Sequence, residues 1–104
     1  MADEIYTLGL WRAKPGQEDA FIAAWKELGD FFSSLPNPPS GQGTLVQSLD
    51  DSRLFYSFGP WPSLGAVQQM RANPATPERI GKLSALCEEA KPGNFRLVAT
   101  VPSS

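Results

Sequence analysis

Apolar positions along the chain switch between two periods, and the switches outline the fold. Residues 5–13 (Ile-Tyr-Thr-Leu-Gly-Leu-Trp-Arg-Ala) are rich in β-branched and aromatic types and run into Lys14-Pro15-Gly16, so they predict a strand and the turn that ends it. From Gln17 the period lengthens. Phe21, Ile22, Trp25, Leu28, Phe32 and Leu35 recur every three or four residues and predict one face of a helix. Glu18 and Asp19 fall in its first turn, where carboxylates suit the positive end of the helix dipole. Pro36-Asn37-Pro38-Pro39-Ser40-Gly41 cannot continue the helix. Residues 43–49 and 53–59 read as strands, and Asp50-Asp51-Ser52 between them is short enough for an antiparallel hairpin. After Pro60-Trp61-Pro62, Ser63 reads as the N-cap of a helix reaching about Ala72, which Pro74 and Pro77 interrupt. Thr76-Pro77-Glu78 restarts it with a cap residue, a proline at the first helical position and an early acid. Ile80, Leu83, Leu86, Cys87 and Ala90 form its apolar face, Lys91-Pro92-Gly93 its stop, and residues 94–101 a fourth strand.

The predicted order is β-α-β-β-α-β, the ferredoxin-like α+β arrangement, within a single domain spanning 1–104. On the first strand Ile5, Thr7, Gly9 and Trp11 alternate with Tyr6, Leu8, Leu10 and Arg12. On the third, Leu54, Tyr56 and Phe58 oppose Phe55. Both faces of the sheet are therefore apolar, although two helices cover only one of them. A second copy of the chain is the simplest cover for the other, which predicts a homodimer.

Composition narrows the chemistry. Aromatics make up 11% of the chain and the net charge is −2 with no basic stripe, so nucleic acid is not an expected partner. No apolar run is long enough to span a membrane, and the acidic start Met1-Ala2-Asp3-Glu4 has no signal-peptide character, so the expected location is cytoplasmic. One cysteine and no histidine exclude an internal disulfide, the common zinc sites, Ser-His-Asp and Cys-His catalysis, and histidine-ligated haem within one chain. No cofactor is expected.

Lys14-Pro15-Gly16-Gln17-Glu18-Asp19-Ala20-Phe21 running to Trp25, Phe58-Gly59-Pro60-Trp61-Pro62-Ser63-Leu64, and the break at Asn73-Pro74 together resemble the antibiotic biosynthesis monooxygenase-like family of the dimeric α/β-barrel superfamily. The resemblance implies an antiparallel sheet packed against that of a second subunit, with a pocket between each sheet and its helices. Family activities include cofactor-independent oxidation of polycyclic phenols and haem degradation. The haem-degrading pattern is absent here, since the chain has no histidine and no asparagine between Ile5 and Ala13.

Two catalytic candidates stand out, Trp61 and Tyr56, with Phe21, Trp25, Phe58 and Met70 as ligand-binding candidates. The Trp61 indole either directs an N–H at a phenolic or carbonyl oxygen or packs the start of the second helix onto the sheet. Tyr56 and Phe58 on a strand face, and Phe21 and Trp25 on a helix face, either enclose an aromatic cavity or fill the core, with Met70 as an adaptable neighbour in both cases. Arg12, Arg53 and Arg96 either reach an anionic group or bridge to carboxylates at the sheet edge. Three functions follow: a cofactor-independent monooxygenase-like protein acting on or binding a small hydrophobic or aromatic molecule, a non-catalytic ligand-binding or stress-associated dimeric module, and a structural dimer with a filled core.

Overall fold

The computed structural model describes residues 4–102, so the acidic start read at Met1-Ala2-Asp3 lies outside the described residues. β1 (Ile5–Ala13) forms as its alternation predicts. Gly16 closes the following turn at φ 79°, a left-handed conformation that glycine adopts without a Cβ penalty. α1 (Glu18–Ser33) buries Phe21, Ala24 and Leu28. β2 (Thr44–Gln47) and β3 (Leu54–Trp61) pair as the expected antiparallel hairpin. α2 (Leu64–Ala72) and α3 (Ala75–Ala85) precede β4 (Cys87–Arg96). The sheet runs β2-β3-β1-β4 with every neighbour antiparallel, a ferredoxin-like α+β fold.

Strand parity assigns the two faces. Ile5, Trp11 and Ala13 of β1 and Phe55 and Trp61 of β3 are buried under the helices. They form two cores: Phe21, Leu28 and Leu83 close on Trp11 and Phe55, while Val67 and Met70 close on Ile5 and Trp61. Phe21 sits 5.0 Å from Phe55 and 5.7 Å from Trp11 between ring centroids, spacings at which tilted aromatic pairs attract. On the opposite face Leu8 pairs with Phe58, Val46 with Tyr56 and Tyr6 with Phe95. Leu8, Val46, Tyr56, Phe58 and Phe95 are 38–53% exposed, so the second apolar face read from the alternation is present and open in the isolated chain.

Two regions differ most from the sequence reading, besides β2, which is shorter than 43–49, and β3, which runs on past Gly59 to Trp61. The last helix ends at Ala85, and Cys87 to Ala90 belong to β4, so Pro92-Gly93 lies within a strand instead of stopping a helix. Sheet position explains the difference. The Leu97 N–H donates to the Glu4 carbonyl, and hydrogen-bonded pairs alternate along the β1–β4 ladder, which makes Gly9/Pro92 a pair without ladder bonds. Proline therefore lacks only an N–H that points away from β1 at the sheet edge, where nothing needs it. The strand ends at Arg96, short of the predicted Val101.

The second difference is at the helical break. Thr76 is not the cap of α3. Asn73 Oδ1 accepts from the Ala75 N–H at 2.9 Å, and the buried Thr76 hydroxyl turns back to the Met70 carbonyl at 2.6 Å, tying α3 to the end of α2. Ser63 does cap α2, its Oγ accepting from the Ala66 N–H at 3.1 Å.

Candidate functional site

Between the helix-facing side of the sheet and α1 lies a cleft of about 1420 Å³. Trp25 and Phe32 of α1, Trp61 of β3 and Met70 of α2 wall it, and the 39–43 segment closes one side. Phe32 meets Trp61 edge-on at 5.4 Å, so the two walls brace each other. Gly43 lies where a Cβ would stand 3.6 Å from the Trp25 ring, an ordinary contact distance that sets how closely this segment approaches α1.

The floor is polar at a few defined points. Residues facing one another across antiparallel strands share a face, so Thr7, Gly59 and Asn94 form one row under the cleft, and Gly9, Ser57 and Pro92 the next. Trp61 Nε1 donates to Thr7 Oγ1 at 3.2 Å, and Trp11 Nε1 donates to Ser57 Oγ at 2.9 Å. Both indoles thus point their only polar group at a hydroxyl of the floor. The Trp11 ring lies across Gly9: a Cβ there would stand 2.4 Å from Nε1 and 2.8 Å from Cζ2. Gly9→Ala is therefore expected to displace the indole and lower stability by about 1–3 kcal/mol, the usual range for overpacking. Chemical denaturation checks it against Gly81→Ala, whose helical site has nothing within 4 Å and should gain up to about 1 kcal/mol.

Charged groups stay at the rim. Lys26, Asp30 and Arg71 border the mouth, and the floor carries no titratable side chain among the described residues. Arg12 pairs instead with Asp51 and, at 3.8 Å, with Glu89; Arg53 pairs with Glu88 at 3.1 Å and donates to the Ala13 carbonyl at 3.3 Å. These arginines fasten the β2–β3 turn and the start of β4 to β1, the bridging alternative of the sequence reading. Asp51 is held below the usual carboxylate range by the backbone N–H of Arg53 and then by the Arg12 guanidinium. Glu89 is lowered mainly by its hydrogen bond from Lys91. Burial pushes the Cys87 thiol up, with Lys14 opposing, so the thiolate needed for nucleophilic chemistry is disfavoured. Among the described residues no three His, Cys, Asp or Glu side chains gather in a way that could hold a metal ion.

The candidates from sequence separate cleanly. Trp61, Trp25 and Met70 meet at the cleft. Phe21 is fully buried in the core beside Trp11 and Phe55, with no cleft surface. Tyr56 and Phe58 share the strand parity opposite to Phe55 and Trp61, which places their side chains on the open face; Phe58 only borders the cleft through its strand. Of the two alternatives, an enclosed aromatic cavity or a filled core, Phe21 takes the second, while the sheet separates Tyr56 and Phe58 from the α1 aromatics. The sequence reading missed Thr7, Ser57, Asn94 and Trp11. The available signal was parity: Thr7 shares a face with Ile5 and Trp11, and Ser57 with Phe55 and Trp61, so each is polar on an otherwise buried side.

Solved structures share this architecture. A variant of SnoaB, a cofactor-independent oxygenase from Streptomyces nogalater, superposes with a TM-score of 0.84 at 22% identity, covering 98% of this chain and all of that one. A putative antibiotic biosynthesis monooxygenase from Chloroflexus aurantiacus matches with a TM-score of 0.71 at 22% identity, over 93% and 95% of the two chains. One from Bordetella bronchiseptica matches at 0.76 and 15% identity, over 93% and 99%. The fold is that of the antibiotic biosynthesis monooxygenase-like proteins. The chain matches no family profile. It is 30% identical over 105 residues to a 2-succinyl-5-enolpyruvyl-6-hydroxy-3-cyclohexene-1-carboxylate synthase from Prochlorococcus marinus, a match that takes in 92% of this chain and 16% of that protein. In the monooxygenase-like fold seen here, the cleft described above lies between the sheet and its helices, and among the described residues no helix is long and apolar enough to cross a membrane.

Proposed function

We propose that the chain is a cofactor-independent monooxygenase-like protein that takes a small, flat aromatic molecule into the cleft beneath Trp61, and that it works as a homodimer through its open sheet face. The observation that carries the first part is a cleft walled by Trp25, Phe32 and Trp61 over a floor with few polar points, the composition of a site for an apolar ring with one or two oxygens. The reaction in this reading converts an activated CH2 of a phenolic substrate to a carbonyl. Loss of a proton gives a carbanion, which reduces O2 and combines with it; one oxygen atom remains in the product and the other leaves as water. The chain's part is to orient the ring, exclude bulk water and stabilise negative charge on the substrate oxygen.

Oxygen uptake with a panel of polycyclic phenols that carry an activated ring CH2 tests the proposal. Turnover above buffer is expected, with Trp61→Phe lowering kcat/KM about tenfold through loss of the Nε1 bond to Thr7. No turnover with any member of the panel would overturn the enzymatic reading.

One observation favours the non-catalytic alternative. The cleft floor offers hydroxyls and an amide but no carboxylate, amine or phenol to take a proton, since Tyr56 lies across the sheet. Thermal stabilisation by the same compounds without oxygen consumption would assign the cleft to binding alone.

A further inference from the structure

We infer that the Thr7 and Ser57 hydroxyls form a donor pair, aimed into the cleft by Trp61 and Trp11, that selects an anionic oxygen such as a phenolate or enolate over its neutral acid. The inference rests on the cleft being the ligand site and goes beyond that reading by naming the groups and the ionisation state they recognise.

A hydroxyl has one proton to give and two lone pairs. Thr7 Oγ1 and Ser57 Oγ each use a lone pair to accept an indole N–H, and tryptophan offers no acceptor in return. Neither hydroxyl proton has an acceptor among the described residues, although both side chains face the cleft. Accepting from an N–H also polarises a hydroxyl as a donor, because bonds in a chain reinforce one another in a medium drier than water. The floor therefore presents two strengthened donors from adjacent strands, one row apart. The Asn94 side chain lies directly across from Thr7 as a third polar group.

The indoles restrict where these protons go. Trp11 and Trp61 are each 3% exposed and packed in separate cores, so neither ring is free to swing away. A serine hydroxyl alone turns among three staggered positions, and a bond at 2.9 Å from a fixed ring takes one of them, limiting the proton to the other two before the ligand arrives. Gly9 belongs to the same device, since any side chain there would push the Trp11 indole off Ser57. Thr7 and Ser57 are thus the contacting residues, and Trp11 and Trp61 are positioning residues that act through them.

The probe is 4-nitrophenol, whose phenolate absorbs in the visible, titrated across pH with and without protein. The bound probe should ionise at lower pH than the free one, with the ratio of phenolate to phenol affinity falling about tenfold in Ser57→Ala and again in Thr7→Val, as expected for loss of a hydrogen bond to a charged oxygen. Thr7→Ser keeps a hydroxyl and should keep the ratio even if stability falls. Trp11→Phe leaves Ser57 in place and should still lower the ratio, which a purely structural role for the ring would not do. Equal ratios in the parent, Ser57→Ala and Thr7→Val would overturn the inference while leaving the cleft a phenol site, as would preferential binding of the neutral phenol. No binding of 4-nitrophenol at millimolar concentration would overturn both this inference and the function it rests on. Shifted ionisation of this probe, together with no oxygen uptake from any member of the substrate panel above, would leave the donor pair standing and remove only the catalytic reading.

Discussion

Phe21→Ala is expected to unfold the chain at temperatures where the parent protein is fully native. The side chain is completely buried and is the ring that joins two strands to a helix, meeting Phe55 of β3 and Trp11 of β1 at the same time. Truncation removes the transfer energy of a phenyl group and leaves a hole between two rings whose own positions are set elsewhere, Trp11 by Ser57 and Phe55 by the sheet register. Losses for such substitutions are about 3–5 kcal/mol, against a total stability of about 5–15 kcal/mol for an ordinary domain. At about 4–8 °C per kcal/mol for a chain near this length, the melting temperature should fall by roughly 15–30 °C. Differential scanning calorimetry or circular dichroism reads it directly. Trp25→Ala is the informative comparison, because Trp25 is only half-buried at the cleft wall and should cost much less. A fall below about 5 °C for Phe21→Ala would mean that the ring is not the keystone its contacts describe.

The same residue shows what sequence reading of the site leaves open. Period places Phe21 and Trp25 on one face of α1, and both do face the sheet, yet one turn of helix separates the sealed core from the open cleft. Periodicity reports direction and not depth. Tyr56 and Phe58 are ambiguous in sequence for a different reason. Parity correctly grouped them with Leu54, but nothing in a strand that is apolar on both sides says which side the helices cover. The answer comes from Phe55 and Trp61, which pack against α1 and α2. The hairpin, the helix face and the Ser63 cap were legible because each depends on neighbours in sequence. The end of α3 was not, since Pro92-Gly93 reads as a stop unless the edge position of β4 is known, and that is a property of the whole sheet. Thr7 and Ser57 carried a weak signal that becomes strong only when the indoles of Trp11 and Trp61 are seen reaching them across |i−j| separations of 46 and 54.

Phe58→Lys is expected to convert the proposed dimer into monomers. Phe58 lies on the open sheet face, directly across from Leu8 on β1 and Thr44 on β2, with Tyr56 and Val46 on the same face. At 41% exposure in the isolated chain it can be replaced by lysine without burying a charge in either core, so the monomer should keep its stability. In a face-to-face pairing the substitution enters twice, once from each copy, because a two-fold interface repeats every contact. With about 2 kcal/mol lost per copy, the value that marks an important interface residue, association weakens by about 4 kcal/mol, or roughly a thousandfold. Sedimentation equilibrium at micromolar concentration should then report the mass of one chain for Phe58→Lys and of two for the parent. Leu49→Lys supplies the control: Leu49 is 103% exposed and lies beyond the end of β2 in the turn, so the same charge placed there should leave the dimer intact. A parent protein sedimenting as a monomer would remove the dimer altogether. A dimer that survives Phe58→Lys would move the interface off this face, and the apolar row from Val46 through Tyr56 and Phe58 to Leu8 would then need another partner to cover it.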